Sequence, residues 1–208
     1  PRLAGRGLML RIGLTGGVAT GKSEAARCFE RLGIPVIDTD LIARELVTPG
    51  SAALAAIQAE FGAAVLSGGE LDRPALRRIV FAAPERRRAL EAILHPLILA
   101  EAARRLDGLA APCAVLVVPL LVEHLADWRP LIDRLLVIDC TESLQLRRLT
   151  ARDGVPAELA QAMLAAQTSR ESRRAVADTT LVNEGEPDEL CHAVERLLSA
   201  WLPAGTAA

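Results

Sequence analysis

Gly16-Gly17-Val18-Ala19-Thr20-Gly21-Lys22-Ser23 is the stretch of sequence that decides the fold. It matches the pattern G-x-x-x-x-G-K-[ST], follows a strand-like apolar run at 10–15 and opens an amphipathic helical pattern at 22–32. The glycines let consecutive backbone N–H groups point at phosphate oxygens, and the amino end of the helix adds positive partial charge. The stretch therefore predicts a phosphate-binding loop between a strand and a helix.

Two side chains of this loop have the chemistry that a bound nucleotide requires. Lys22 is predicted to place its ammonium between the β and γ phosphates of ATP, and the Ser23 hydroxyl is predicted to bind Mg²⁺. Among the 24 lysine and arginine residues Lys22 is the only lysine, and a compact ammonium fits between phosphates better than a planar guanidinium. A glycine turn before an ordinary helix is the alternative, but the strand and helix context favours nucleotide binding.

The rest of the chain alternates strand and helix patterns. Apolar runs at 34–37, 114–118, 135–139 and 180–182 add four short strands to the first, and helical patterns separate them. This order predicts an α/β fold, a three-layer P-loop NTPase fold with a parallel five-stranded sheet. We expect a single domain over residues 9–202 and interpret residues 1–8 as a leader or as residues added in cloning.

Composition excludes several functional classes. The 208 residues carry a net charge of −2 and no long basic block, so we expect neither a nucleic-acid partner nor binding to an anionic membrane surface. No apolar run is long enough to span a bilayer, and residues 1–8 lack the long apolar stretch of a signal peptide, which favours a cytoplasmic protein. Because the four cysteines are far apart in sequence, we expect buried, reduced thiols rather than a zinc site or a redox dithiol; they are Cys28, Cys113, Cys140 and Cys191.

Asp38 and Asp40 follow the second predicted strand, where ligands bind in open α/β sheets. In an extended segment both carboxylates would face the same side, and either could orient an acceptor hydroxyl or take its proton. Alternatively, Asp38 caps the next helix, and Asp40 complements its dipole and pairs with Arg44. The residues alone leave both interpretations open.

Basic and polar residues after the later strands suggest a second part of the site. Arg148 and Arg152 share one face of a predicted helix and could bring guanidinium groups onto a transferring phosphoryl group, although a solvated face is the alternative. Asn183 and Gly185 follow the last strand and either contact adenine or form only a turn.

Three further features stay open on sequence alone. Asp139 ends a buried strand and is either a metal-binding acid or a helix cap. His95 precedes Pro96 in a helical pattern and either faces a cleft or is structural. The arginines at 170, 173 and 174 either belong to the site or form a solvated face.

Six ordered motifs together resemble the dephospho-coenzyme A kinase family over residues 10–198. They are Leu14-Thr15-Gly16-Gly17 with the loop, the stretches 36–44, 94–98 and 118–123, Gln145-Leu146-Arg147-Arg148 with Arg152-Asp153, and Ala177-Asp178 with Asn183-x-Gly185. The resemblance implies ATP-dependent phosphorylation of the ribose 3′-hydroxyl of dephospho-coenzyme A, the last step of coenzyme A biosynthesis. It also implies Mg²⁺, a helical acceptor-binding subdomain at about 52–109 and a helical lid at about 141–174.

The resemblance assigns roles residue by residue. It makes Asp40 the candidate base, with Lys22 and Arg148 as further catalytic residues and Ser23 as the metal ligand. It makes Asp38, Asp40, Arg44, His95 and Glu123 candidates for binding the acceptor. The candidates for binding the nucleotide are Gly16, Gly17, Val18, Ala19, Thr20, Gly21, Lys22, Ser23, Glu24, Arg148, Arg152, Asn183 and Gly185. The chain departs from the family pattern at Ala19 and Thr20, where Gly-Ser is usual.

Two other functions share parts of this pattern. One is a kinase of another small molecule or of a nucleoside monophosphate, and the other is a regulatory module that binds ATP without transferring phosphate. The paired aspartates favour phosphate transfer. We expect dephospho-coenzyme A as the small-molecule partner and a monomer or weak homo-oligomer.

Overall fold

The computed structural model describes residues 9–202, without the side chains of Arg152, Asp153 and Pro187. These residues form two compact units, a core unit of residues 9–37 with 108–202 and a helical unit, Asp38–Asp107. The interpretation of residues 1–8 and the role assigned to the side chain of Arg152 fall outside the described residues.

The described strands are β1 (Leu10–Gly16), β2 (Val36–Asp38), β3 (Leu66–Ser67), β4 (Glu70–Leu71), β5 (Cys113–Val117), β6 (Arg134–Asp139) and β7 (Thr179–Val182). The core unit is built on a five-stranded sheet with the strand order β2-β5-β1-β6-β7. β1 pairs in parallel with β5 and β6, and β6 pairs in parallel with β7. The predicted α/β fold with a parallel five-stranded sheet is therefore confirmed.

Helices follow most strands, as the sequence pattern indicated. None of the described helices is both long and apolar enough to cross a membrane. In chain order they are α1 (Lys22–Arg31), α2 (Thr39–Leu46), α3 (Ala52–Phe61), α4 (Arg73–Ala82), α5 (Pro84–Asp107), α6 (Leu125–Trp128), α7 (Glu142–Asp153), α8 (Ala157–Ala165), α9 (Arg170–Val176) and α10 (Pro187–Trp201).

β1 is buried on both faces and thereby fixes the position of the loop that follows it. Ile12 and Leu14 are fully buried in one cluster with Phe29 of α1 and Val194 of α10. Gly13 faces the other side, where an added Cβ would lie 2.7 Å from Cδ1 of Ile132. Both faces of β1 are therefore covered, although its sequence alternates apolar residues with Arg11, Gly13 and Thr15.

The expectation of four reduced thiols is wrong for two of the cysteines. Cys28 of α1 and Cys191 of α10 form a disulfide with Cα atoms 5.3 Å apart. Cys113 and Cys140 are free and buried, and burial raises the pKa of the Cys113 thiol to about 11. The disulfide joins residues 163 positions apart, so no local sequence pattern could reveal it.

In the helical unit, α2, α3 and α4 pack against α5. A small apolar cluster centred on Val47, Ile57, Val65 and Leu76 holds these helices together. The two-residue strands β3 and β4 pair in antiparallel fashion; they were too short to predict, although Gly68-Gly69 indicated a turn there. Pro96 lies inside α5 without ending it. The compact unit includes α2, which lies before the predicted range 52–109.

Glu101 of α5 holds two arginines of its own helix, one of which also reaches α2. Its carboxylate accepts hydrogen bonds from Arg104 at 2.7 Å and from Arg105 at 2.8 Å, and Arg105 also pairs with Glu45 of α2. The hydrogen bond from Arg104, followed by that from Arg105, lowers the pKa of Glu101 to about 2.

We expect Glu101→Gln to lower the free energy of unfolding at neutral pH by less than about 1 kcal/mol, because the ion pairs are largely solvated. A lowered carboxyl pKa stabilises the fold above the ordinary value of 4.5, and this contribution disappears as the pH falls toward about 2. Urea unfolding at a series of pH values should show the difference from the parent shrinking below pH 4.5. Glu91→Gln, which removes a pair within α5 alone, is the control. A difference that did not change with pH would contradict this prediction.

Candidate active site

Close contacts, together with a left-handed backbone at one of them, require glycine at two positions of the predicted phosphate loop. A Cβ on Gly16 would lie 2.3 Å from the backbone oxygen of Ile138, nearer than non-bonded atoms approach. Gly21 has φ +104°, and its Cβ would lie 2.1 Å from Nδ2 of Asn183. The loop therefore passes directly over the carboxyl end of β6, at the edge of the sheet where α/β proteins bind ligands.

The Lys22 ammonium folds back over this loop. Nζ donates hydrogen bonds to the backbone oxygens of Gly16 and Gly17 at 2.7 and 2.9 Å. Ser23, the second residue of α1, is exposed. A cation and an accessible hydroxyl thus stand together at the positive amino end of α1, an arrangement suited to a polyphosphate.

Two glutamines hold the middle of the loop. Gln145 of α7 donates a hydrogen bond to the backbone oxygen of Val18 at 2.6 Å, and Oε1 of Gln167 accepts one from the Val18 N–H at 2.9 Å. Gln145 appeared from sequence only as part of a motif, and Gln167 was missed. They lie 127 and 149 positions from Val18, so only the fold brings them to the loop.

Arg148 of α7 and Asn183 after β7 hold the last part of the loop. Arg148 donates to the backbone oxygens of Ala19 and Thr20 at 3.3 and 3.4 Å, and to that of Asn183 at 3.2 Å. Nδ2 of Asn183 donates to the Thr20 oxygen at 2.8 Å. These hydrogen bonds rule out a fully solvated position for Arg148. They also show that Asn183 contacts the loop and does not merely form a turn.

Asp139 is paired with arginines rather than with the helix that follows it. Its carboxylate is 2% exposed and binds Arg170 through Nε at 2.9 Å and through Nη2 at 2.8 Å. Arg174 lies 3.8 Å away. The hydrogen bond that Arg170 donates to the Asp139 carboxylate raises the pKa of Arg170. The alternative of a helix cap is therefore wrong, because Thr141 occupies the position before α7.

Arg173 brings another guanidinium to the loop. It is 7% exposed, and a Cβ on Gly17 would lie 2.8 Å from its Nη2. Its Nη1 donates to the backbone oxygen of Thr168. A solvated face is thus excluded for Arg173, which sequence alone had left open.

A cavity of about 460 Å³ lies beside the loop in the core unit. Six of the predicted nucleotide-binding residues line it together with Ala151, namely Ala19, Gly21, Glu24, Arg148, Asn183 and Gly185. The size and the mixed polar and apolar lining suit a nucleoside.

In the helical unit, the two aspartates do not form an extended pair. α2 begins at Thr39, and Oδ1 of Asp38 accepts a hydrogen bond from the Asp40 N–H at 2.8 Å. Of the two interpretations that the sequence left open, the helix cap at Asp38 is confirmed, and the extended segment with both carboxylates on one side is wrong. Asp40, in the first turn of α2, is exposed.

Asp40 and Arg44 line an open groove of about 640 Å³ within the helical unit. Apolar side chains form much of its wall, and two more arginines border it. Phe81 is 79% exposed, an unusual position for a large aromatic side chain. The wall residues are Leu71, Leu76, Val80, Phe81, Leu90 and Leu94, and the additional arginines are Arg73 and Arg77.

The remaining acceptor candidates lie in different units. Oε1 of Glu123 accepts a hydrogen bond at 3.1 Å from the backbone N–H of Thr168, which lies between α8 and α9. His95 is half-buried in α5, next to the groove residue Leu94. Glu123 is thus attached to the segment predicted to be a lid, which sequence did not indicate.

Ala19 is the only non-glycine residue with a positive φ (57°) in the described part of the chain. The left-handed conformation costs an L-residue about 1–2 kcal/mol. Glycine would remove this cost, but its greater loss of backbone entropy on folding would lower the free energy of unfolding by about 0.5–1 kcal/mol.

We expect Ala19→Gly to raise the free energy of unfolding by about 0.5 kcal/mol. The matched control is Ala56→Gly at an exposed position in α3, which should lower it by about 1 kcal/mol because the residue is helical. Denaturant unfolding of the two variants measures the difference. Equal destabilisation by both substitutions would contradict the assigned conformation of Ala19.

Residues 10–189 match the family model described as Dephospho-CoA kinase. The dephospho-CoA kinase of Thiobacillus denitrificans is 53% identical over 195 residues, covering 93% of this chain and 96% of that protein. The dephospho-CoA kinase of Xanthomonas oryzae is 50% identical over 190 residues, covering 89% and 93%.

Solved structures share the same architecture. The crystal structure of TT1252 from Thermus thermophilus has 34% identity and a TM-score of 0.80, covering 92% of this chain and 97% of its own. A dephospho-CoA kinase from Campylobacter jejuni has 24% identity and a TM-score of 0.64, covering 94% and 98%. A shikimate kinase from Bacteroides thetaiotaomicron has 16% identity and a TM-score of 0.58, covering 93% and 98%. The last two show a common fold.

Proposed function

This chain belongs to the dephospho-CoA kinase family, which catalyses the ATP-dependent phosphorylation of dephospho-CoA in coenzyme A biosynthesis, and we propose that its core unit binds ATP while its helical unit binds the acceptor. The family assignment removes the two alternatives, another small-molecule kinase and a regulatory module. The group that receives phosphate is the ribose 3′-hydroxyl. The observation that carries the proposal is the convergence of Lys22, Arg148 and Asn183 on one phosphate loop.

ATP would bind with its nucleoside in the cavity lined by Arg148, Asn183 and Gly185 and its phosphates over the loop. The Lys22 ammonium would exchange its two carbonyl contacts for β and γ phosphate oxygens. The Val18 N–H is bound by Gln167. Because backbone N–H groups are the donors for phosphate in such loops, this glutamine would release Val18 when ATP binds.

Magnesium fits the same place. Ser23 offers an exposed hydroxyl next to Lys22, and it would hold Mg²⁺ together with phosphate oxygens. Bound there, the ion would neutralise charge on the β and γ phosphates. The carboxylate of Asp139 forms ion pairs with Arg170 and Arg174, so we do not assign Asp139 as a metal ligand.

Asp40 would orient the 3′-hydroxyl for in-line attack on the γ phosphate and accept its proton as the new O–P bond forms. The bond between the γ phosphorus and the oxygen that bridges it to the β phosphate would break in the same step, and ADP would leave. Its position in the first turn of α2, exposed and beside the groove, supports this role. Arg148 and Arg173 would stabilise negative charge on the phosphoryl group, since both stand against the loop. Placement and charge therefore account for most of the catalysis.

We expect Asp40→Asn to lower kcat by about 10² or more, while the Kd for ATP stays unchanged. The amide keeps the size of the side chain and loses its ability to accept the proton. Coupled ADP release with dephospho-CoA measures turnover, and nucleotide titration measures binding. Glu60→Gln, an exposed carboxylate in the same unit, is the control. Near-normal turnover of Asp40→Asn would refute the assignment.

The groove in the helical unit is suited to the long pantetheine arm and diphosphate of dephospho-CoA. An apolar wall of Leu90, Leu94 and Phe81 could cover the methylenes of the arm, and Arg73 and Arg77 could pair with the diphosphate. Asp40 stands at the same groove, which would bring the ribose to the base.

We expect Phe81→Ala to raise the KM for dephospho-CoA about fivefold, because an exposed aromatic contact contributes about 1 kcal/mol. The KM for ATP should not change, and an acceptor analogue without the pantetheine arm should be phosphorylated equally by parent and variant. Leu97→Ala, at a partly exposed apolar residue of α5 that is not among the residues lining the groove, is the control. If Phe81→Ala raised the KM equally for the complete and the truncated acceptor, the pantetheine arm would not bind at Phe81.

Location and assembly complete the proposal. We propose that the enzyme acts in the cytoplasm as a monomer or weak homo-oligomer, without a nucleic-acid partner. The near-neutral charge of −2 supports the last point.

A further inference from the structure

The disulfide between Cys28 and Cys191 lies in contact with charged side chains at the surface of the core unit. Nη2 of Arg31 donates to Sγ of Cys28 at 3.3 Å and also contacts Sγ of Cys191. Glu24 lies 3.5 Å from the same guanidinium. Cys28 is 1% exposed, whereas Cys191 is half-buried, so Sγ of Cys191 is the sulfur more accessible to an incoming thiol.

We propose that Cys28 and Cys191 form a thiol–disulfide exchange site for low-molecular-weight thiols. In a reducing cytoplasm disulfides do not persist as fixed cross-links, and those that form are transient. The cytoplasmic location is part of the proposed function, but the exchange chemistry does not depend on it. The product of the enzyme, coenzyme A, carries a thiol and therefore belongs to the class that this site takes.

The exchange proceeds in two steps. The thiolate of the small molecule attacks Sγ of Cys191, the protein S–S bond breaks, and Cys28 leaves as a thiolate that takes up a proton. A second small-molecule thiolate attacks the sulfur of the first one, releases Cys191 and forms the small-molecule disulfide. Two thiols are oxidised and one protein disulfide is reduced, and the small-molecule disulfide drives the reverse reaction.

Arg31 makes this pair more reactive than the other cysteines of the chain. A guanidinium that contacts both sulfurs stabilises whichever one leaves as thiolate. Cys113 and Cys140 are fully buried, and burial raises the pKa of both thiols. Cys113 and Cys140 therefore do not react with small thiols, and their unchanged state serves as an internal reference for the exchange at Cys28 and Cys191.

Opening the disulfide would act on the nucleotide site through α10. Leu190, next to Cys191, has its Cδ2 only 3.9 Å from the position of a Cβ on Gly21, and the Glu189 carboxylate packs against Gly185. Gly21 and Gly185 both line the nucleotide cavity. The cross-link thus fixes the helix that supports this cavity to the helix that carries Lys22.

The sulfurs and the Glu24 carboxylate also lie within 4.8 Å of one another, close enough to be considered as a metal site. The two sulfurs are bonded to each other, and the Arg31 guanidinium contacts both of them. A cation would have to displace this positive charge, so exchange with thiols is the chemistry that the arrangement favours.

The first experiment follows the redox state of the full-length enzyme. Protein purified without reductant is incubated with coenzyme A or with glutathione at several thiol-to-disulfide ratios, then alkylated and mapped by mass spectrometry. We expect Cys28 and Cys191 to change together from disulfide to alkylated thiols, with a mixed disulfide on Cys191 at intermediate times. Faster reaction with coenzyme A would identify the product as the thiol, and equal rates would identify a general thiol site. Failure of both thiols to open the pair in folded protein, or the absence of the disulfide at oxidising ratios, would overturn the proposal.

A second experiment tests Arg31. Arg31→Gln should slow the opening by coenzyme A about three- to tenfold, because the leaving thiolate loses its stabilising charge. The matched control is Arg27→Gln, which removes an exposed arginine paired with Glu24 and should leave the rate unchanged. Equal rates for both variants and the parent would refute the role of Arg31.

A third experiment measures the coupling to ATP. The Kd for ATP should rise at least threefold when the parent is reduced, and the double variant Cys28→Ala/Cys191→Ala should show the raised value under both conditions. This test is independent of the catalytic assignment of Asp40, because Asp40→Asn is expected to change kcat and not the Kd for ATP. An unchanged Kd on reduction would refute the coupling of the disulfide to the nucleotide site.

Discussion

The contact between the phosphate loop and the end of β6 is the constraint on which the rest of the active site depends. The loop approaches the backbone of Ile138 so closely that Gly16 has no room for a Cβ. β6 is held by parallel pairing to β1 and β7, so the loop is fixed by the centre of the sheet. The donors on α7 and after β7 can then reach the loop carbonyls, because these elements flank the same strand ends.

The arginines around this loop fall into two groups. Some are neutralised by a carboxylate, and the others remain available to bind phosphate. Asp139 is buried and takes up the charge of Arg170 and, more weakly, that of Arg174. Arg148 and Arg173 instead point at the loop itself. A buried carboxylate without a partner would be costly, and the ion pair with Arg170 removes that cost.

The fold was largely predictable because its signals are local. The five strands are short apolar runs, and the helices between them have recognisable starts, such as Asp38 before α2. What the sequence left open or missed depends on the conformation or the packing of single residues. It left open whether Asp38 and Asp40 lie in an extended segment or begin a helix, and the structure has the helix beginning at Thr39 with Asp38 as its cap. Cys28 and Cys191 were expected to be reduced thiols but form a disulfide. Their pairing depends on the packing of α1 against α10, which no local sequence pattern reveals.

The sequence by itself determined the parallel α/β architecture, the position of the phosphate loop and the family, because each depends on residues that are neighbours in the chain or on a fixed order of motifs. Only the tertiary structure decided which side chains hold the loop: Gln145 and Gln167 reach Val18 from 127 and 149 positions away. It likewise decided that Arg170 neutralises Asp139 and that Arg31 contacts the disulfide. Contacts between residues far apart in sequence are set by how helices pack on the sheet, and a local pattern carries no information about that packing.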